Sequence, residues 1–244
     1  TSNCDTAMTR IIGAIADVHG DAAALTAVLE WLDNRGIREV ICAGDIAGFG
    51  PFPNRCISML AERNVRTIMG NADFDILHPR EVSAQASRRV SEIAEIREWT
   101  RRQLSDESRA FLRSLPFSLE VQGGILVVHG STDNMAGIVD QNSDPQIPNG
   151  VKVVLAGHLH VPFVIRQRNG LWVNVGSAGR SCDGDPRPAV SLITESKGKW
   201  TVSQHRVNFD AGVSARDILE SGMPFAQNVA SAVLEARWYR SESP

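Results

Sequence analysis

No stretch of this sequence approaches the ~18 uninterrupted apolar residues of a membrane-spanning helix, so no membrane partner is expected. Cysteine is scarce: Cys4, Cys42, Cys56 and Cys182 lie far apart, with no Cys-x-x-Cys pair. That spacing argues against a disulfide framework and a zinc ribbon, and it fits a reducing cytoplasm. Cys42, inside an apolar run, reads as a small core residue. The formal net charge is only -3, which gives no basic footprint for nucleic acid. Arg88-Arg89, Arg101-Arg102 and Arg109 are interspersed with acids and read as solvated helix faces. Residues Thr1 to Arg10 lack the regions of a signal peptide, and Met8 is expected to be the true start. There is no internal repeat and no low-complexity tract. What remains is a chain of 244 residues, 43% hydrophobic, enough to bury a substantial core.

Buried strands alternate with helices through the first third. Ile11 to Ala16 reads as a strand that breaks on Asp17-Val18-His19-Gly20. Asp21 caps a helix over Ala22 to Arg35, with Leu25, Val28, Leu29 and Leu32 as its apolar stripe. A strand over Val40 to Ala43 stops at Gly44-Asp45, and a helix follows from about Pro53 to Arg63. A third strand, Arg66 to Met69, stops at Gly70-Asn71-Ala72-Asp73. This alternation predicts a parallel sheet covered by helices. Residues 83–114 read as helical, Ser105 opening a second segment. Hairpin signals stand at Gly123-Gly124 and Asn169-Gly170. Residues 131–149 predict a long loop over the site. Strands at 189–194 and 200–206 flank a Lys197-Gly198-Lys199 turn, and helices near 214–221 and 224–239 close the chain. The pattern predicts two stacked mixed sheets with helices outside. Residues 8–212 form the main domain, and 213–244 form a helical tail packed on it.

The strand ends carry the chemistry. They read Asp17-x-His19, Gly44-Asp45, Gly70-Asn71, His129-Gly130 and Gly157-His158-x-His160. Four of the six histidines stand there, and each motif follows a β run and includes or adjoins a glycine. Ligands bind at the carboxyl ends of strands in open α/β sheets, and glycine lets the backbone turn sharply toward an ion. Carboxylates and imidazoles gathered there are candidate metal ligands.

In this order the motifs resemble the calcineurin-like metallophosphoesterases. Gly44-Asp45 through Pro51, His158-x-His160 with Val161-Pro162-Phe163, and Asn174 to Ser177 through Arg187 are most similar to the small bacterial, phosphodiesterase-like branch. The resemblance implies an α/β fold, a four-layer αββα sandwich, and two divalent metal ions (Mn, Fe, Zn, Ni or Co). One ion falls to Asp17, His19, Asp45 and His160, the other to Asp45, Asn71, His129 and His158. It also implies hydrolysis of a small-molecule phosphoester by a hydroxide shared between the ions.

The third motif departs from the family. Its usual histidine, which assists the leaving group, is Ala72 here, and general acid catalysis is worth ~10²–10⁴-fold. A phosphodiesterase is therefore expected rather than a monoesterase, with a catalytically weak or inactive scaffold protein as the alternative. His78 is the candidate substitute acid, and Asp73, which in the family orients the missing histidine, is assigned with Asp45 and Asn71 to the catalytic group. The arginines of phosphoprotein phosphatases are missing from Ile46-Ala47-Gly48 and from Met69, which excludes that substrate class. Arg180 and Arg187 are candidate substrate contacts, and Asn174 is expected to orient a ligand or its loop. Trp238 and Tyr239 are assigned to the core or to an interface.

Overall fold

The computed structural model describes residues 9–241. Cys4, Met8 and the last three residues of the expected tail lie outside them.

The chain begins β1 (Arg10–Ile15), α1 (Ala22–Asp33), β2 (Glu39–Cys42), α2 (Pro53–Glu62), β3 (Arg66–Thr67). Asp21 caps α1 as expected, accepting from the Ala24 N–H at 2.9 Å. Three further helices follow: α3 (Asn71–Leu77), α4 (Arg88–Gln103) and α5 (Asp106–Ser114). The second half runs β4 (Leu119–Val121), β5 (Ile125–Val127), β6 (Val153–Ala156), β7 (Pro162–Gln167), β8 (Gly170–Val175), β9 (Ala189–Ser196) and β10 (Lys199–Arg206). Helices α6 (Ala211–Glu220) and α7 (Ala226–Leu234) come last.

The strands form two five-stranded sheets, ordered β10-β9-β1-β2-β3 and β4-β5-β6-β8-β7. Each is mixed: β1, β2 and β3 run parallel with β9 and β10 antiparallel on one side, and β5, β6 and β8 run parallel between antiparallel β4 and β7. The inner faces meet through Ile12, Ala14 and Ile41 against Val127, Leu155 and Val173. Leu25, Leu29 and Leu60 of α1 and α2 cover the outer face of the first sheet, packing on Ile15 and Cys42. Helices α6 and α7 pack on α4 and Phe49. The expected sandwich of two mixed sheets with flanking helices is what the chain forms.

The third motif opens a helix, α3, that the sequence reading does not contain. The last helix stops at Leu234, so Trp238 and Tyr239 lie beyond it. The 131–149 segment has no strand or helix; its Met135 and Gly137 backbone closes on Gly130 beside His129, and none of its residues lines the pocket at the strand ends. Its Val139 and Ile147 pack on Val154 and Trp172, on the far face of the second sheet.

Candidate metal centre

The polar residues that end β1, β2, β3, β5 and β6 converge on one pocket. The first sign of its use is backbone strain. Asp17, His19, Asp45, His158 and His160 have φ of 54, 50, 54, 70 and 58°. Side-chain-bearing residues visit that region rarely, at a cost of order 1–3 kcal/mol each, and such outliers cluster where function requires them. Hydrogen bonds between the loops hold them there: the Asp17 N–H donates to Gly44 O and the His19 N–H to Asp45 O, both at 2.9 Å.

One donor atom from each of Asp17, His19, Asp45 and His160 lies within 4.8 Å of all the others, and all four residues are buried. The His19 and His160 Nε2 atoms are 3.0 Å apart. Asn71 Oδ1 lies 2.7 Å from His158 Nδ1 and 3.1 Å from His129 Nε2. Asp45 Oδ2 lies 3.3 Å from His129 Nε2 and 3.7 Å from His19 Nε2, so it stands between the two groups. The pocket thus brings together all seven residues expected to bind metal.

Neighbouring groups aim these donors. His160 Nδ1 donates to Arg180 O and His129 Nδ1 to Ala43 O, each at 2.6 Å. A carbonyl only accepts, so each Nδ1 carries a proton and each Nε2 is presented to the pocket. Gly70 is required because a Cβ there would collide with Asp45 Oδ1 and Asp45 N. The buried Asp73 carboxylate accepts from the N–H groups of Ala47 (2.9 Å), Gly70 (3.1 Å) and Ile46 (3.2 Å). It therefore pins the Gly-Asp loop to the Gly-Asn loop. Asn174 Nδ2 donates to Gly157 O at 2.6 Å and fixes the turn that carries His158, in the orienting place expected for it.

The electrostatics fit a cation. Burial pushes the Asp17 carboxyl well above its usual range, and the Asp45 charge adds to this. Burial also raises Asp73, to about 7. For Asp45, burial is outweighed by His129, His19 and the Ala72 N–H, which hold it well below the usual range. Burial drives His19 down to about 4 and His160 well below its ordinary value. For His129, burial, which lowers it, is outweighed by Asp45 and Asp17, which raise it to about 10. Crowded carboxylates beside imidazoles are a donor set that a first-row divalent ion satisfies.

Residues 11–197 match the calcineurin-like phosphoesterase superfamily domain. The chain belongs to that superfamily. Its relatives include an uncharacterized protein of Methanocaldococcus jannaschii, 26% identical over 246 residues, spanning 88% of this chain and 94% of that one. The fold is shared with a metallophosphoesterase from Sphaerobacter thermophilus, with 24% identity, 94% of this chain and 100% of that one covered, and TM-score 0.75. It is shared equally with a hypothetical protein from Pyrococcus horikoshii OT3, with 22% identity, 91% and 97% coverage, and TM-score 0.75. The family typically uses divalent metals, and the four-residue cluster is the candidate site for one.

Not every expected site residue reaches the pocket. Arg180 does. His78 does not: it caps the end of α3, stacks on Phe74 at 4.3 Å between ring centroids and donates from Nδ1 to Phe74 O. Arg187 is held at the surface by Asp185, at 2.6 Å. Sequence reasoning missed Arg89 and Arg97, which line the pocket from α4, and Phe49 and Trp238, which wall it. Arg89, Ile93 and Arg97 are four apart, so one helix face carries all three. The spacing was visible; the neighbouring acids made it resemble a solvated face.

Metal binding to a preformed cluster stabilises the folded state by about 2.7 kcal/mol at a hundredfold excess over Kd. Adding manganese to metal-stripped protein is therefore expected to raise the melting temperature by several degrees, read by calorimetry or fluorescence. No shift with manganese, zinc, iron, nickel or cobalt would contradict the site.

Proposed function

We propose that the protein is a dinuclear metal-dependent phosphoesterase that favours phosphodiesters over monoesters. The observation that carries this is the convergence of seven donors on Asp45. Asp17, His19, Asp45 and His160 would hold one ion, and Asp45, Asn71, His129 and His158 the other. Bound ions of this kind polarise phosphoryl oxygens and bring the pKa of water towards ~7.

The chain's own groups do the rest. Asp45, standing between the two groups of donors, would offset the repulsion between two cations. Asp73 acts through the backbone, keeping the Gly-Asp and Gly-Asn loops in register. Arg180 faces the pocket with its guanidinium and offers the substrate a positive charge. The cavity, about 140 Å³, admits a small molecule. Its wall at Ala72 supplies no proton to a leaving group, so good leaving groups are favoured. That sets activated diesters above alkyl monoesters. No helix among the described residues is long and apolar enough to cross a membrane. Together with the scattered cysteines, that supports a cytoplasmic setting.

The test is hydrolysis by manganese-loaded protein. Bis(p-nitrophenyl) phosphate should be cleaved at least about tenfold faster than glycerol phosphate, and Ala72→His should raise the monoester rate by about 10²-fold by restoring an acid. Comparable rates on both substrates would contradict the diester preference. Two bound ions with no turnover would favour a binding role.

A further inference from the structure

Guanidinium groups crowd the pocket beside the donors. Arg180 is only 4% exposed, its Cζ lies 3.9 Å from the Phe49 ring centroid, and its buried Nε and Nη2 have no hydrogen-bond partner. A guanidinium is cationic at neutral pH. Ser177 holds its backbone: the Ser177 hydroxyl accepts from Arg180 N and donates to Asp17 O, both at 2.6 Å. Arg97 gives Nη1 to Asp75 at 2.9 Å, but its buried Nε has no partner. Arg89 lines the same pocket, and its charge presses on Arg180.

A buried, unpartnered guanidinium costs several kcal/mol unless an anion meets it. One phosphoryl group does not account for three. Two divalent ions set against Asp17 and Asp45 already leave more positive charge than the single negative charge of a diester. Arg97 lines both this pocket and a second cavity of about 1070 Å³ between α4 and the loop after α3. That neighbouring cavity is where the rest of a larger substrate would extend.

We infer that Arg89, Arg97 and Arg180 form a second anion subsite, so that the preferred substrate carries another phosphoryl group joined to the scissile one, as in a phosphoanhydride. This rests on the reading that the seven donors hold the reacting phosphoryl group. Arg180 and Arg97 would each donate an Nε–H now without a partner, and Arg180 its Nη2–H as well, as charge-assisted bonds to the second group. Arg89, at the exposed rim, would add attraction and a faster association rate.

Two measurements test it. In calorimetry on the metal-free full chain at low salt, pyrophosphate should bind at least about tenfold tighter than orthophosphate. Arg180→Met should lose about tenfold or more of that affinity and Arg89→Ala several-fold. Arg113→Ala, an exposed arginine on α5, should lose none. In the manganese-loaded enzyme, KM for bis(p-nitrophenyl) pyrophosphate should lie well below that for bis(p-nitrophenyl) phosphate. Arg89→Ala should raise the first KM while moving kcat little. Equal affinity for the two anions, no binding to the parent chain, or an equal loss in Arg113→Ala overturns the subsite. Arg89→Ala changes an exposed position and so serves even if Arg180→Met folds poorly. The calorimetry needs no turnover, so an enzyme dead on both esters would sink the hydrolase reading and leave this one decided separately.

Discussion

Asp45→Asn is expected to cost on the order of 10³-fold in kcat/KM on an activated diester and to abolish the melting-temperature rise with manganese. The side chain keeps its shape, and its Oδ1 can still accept from Ala72 N, now at 2.7 Å. What disappears is the negative charge between the two groups of donors. Stabilisation of transition-state charge by bound ions is worth several kcal/mol, and ~4 kcal/mol is ~10³-fold. Asp73→Asn provides the contrast. That carboxylate accepts from three backbone N–H groups, so its loss acts by loosening two loops. Supporting groups of this kind are worth about 10–100-fold. Kinetics and metal analysis on both variants separate the roles. Equal losses would show that Asp45 is no more than a brace, and full activity in Asp45→Asn would remove it from the chemistry.

The donors were legible because each motif repeats one local grammar: a buried run that ends in a glycine together with a carboxylate, amide or imidazole. A strand end fixes its side chains with few degrees of freedom, so spacing alone nearly places them. Elements that depend on distant partners were harder to read. Helix α3 is short, and its first turn is held by Asp73 reaching back to Gly70 N, a bond that the sequence does not advertise. The stop of α7 was hidden for another reason. Arg237 N donates to Ala232 O and Ala236 N to Val233 O, a C-terminal capping pattern that usually has glycine at the left-handed position. Here Ala236 adopts φ 46°, so the usual signal is missing. Polarity marked 131–149 as irregular but not that its Val139 and Ile147 pack on the second sheet.

That hidden stop is what turns the chain back over the pocket, and it sets up the second large effect. Past Ala236 the chain lays Trp238 against His160, with ring centroids 5.0 Å apart, and buries Tyr239 beside Phe49. The Tyr239 hydroxyl donates to Glu92 Oε2 at 2.6 Å, and Arg88 donates to Oε1 of the same carboxylate at 2.7 Å. Tyr239→Ala is expected to destabilise the fold by about 3–5 kcal/mol, the usual cost of emptying a buried aromatic site. At ~2–4 °C per kcal/mol for a chain of this size, the melting temperature should fall by about 10 °C. Tyr239→Phe keeps the ring and should cost only ~1 kcal/mol, because Arg88 still meets the Glu92 carboxylate. Urea and thermal melts of the two variants resolve packing from hydrogen bonding. If the tail also holds Trp238 on the His160 ring, manganese affinity should drop by about tenfold in Tyr239→Ala, as when a supporting contact to a metal ligand is lost. An unchanged melt in Tyr239→Ala would mean that the end of the chain contributes nothing to the fold and does not brace His160.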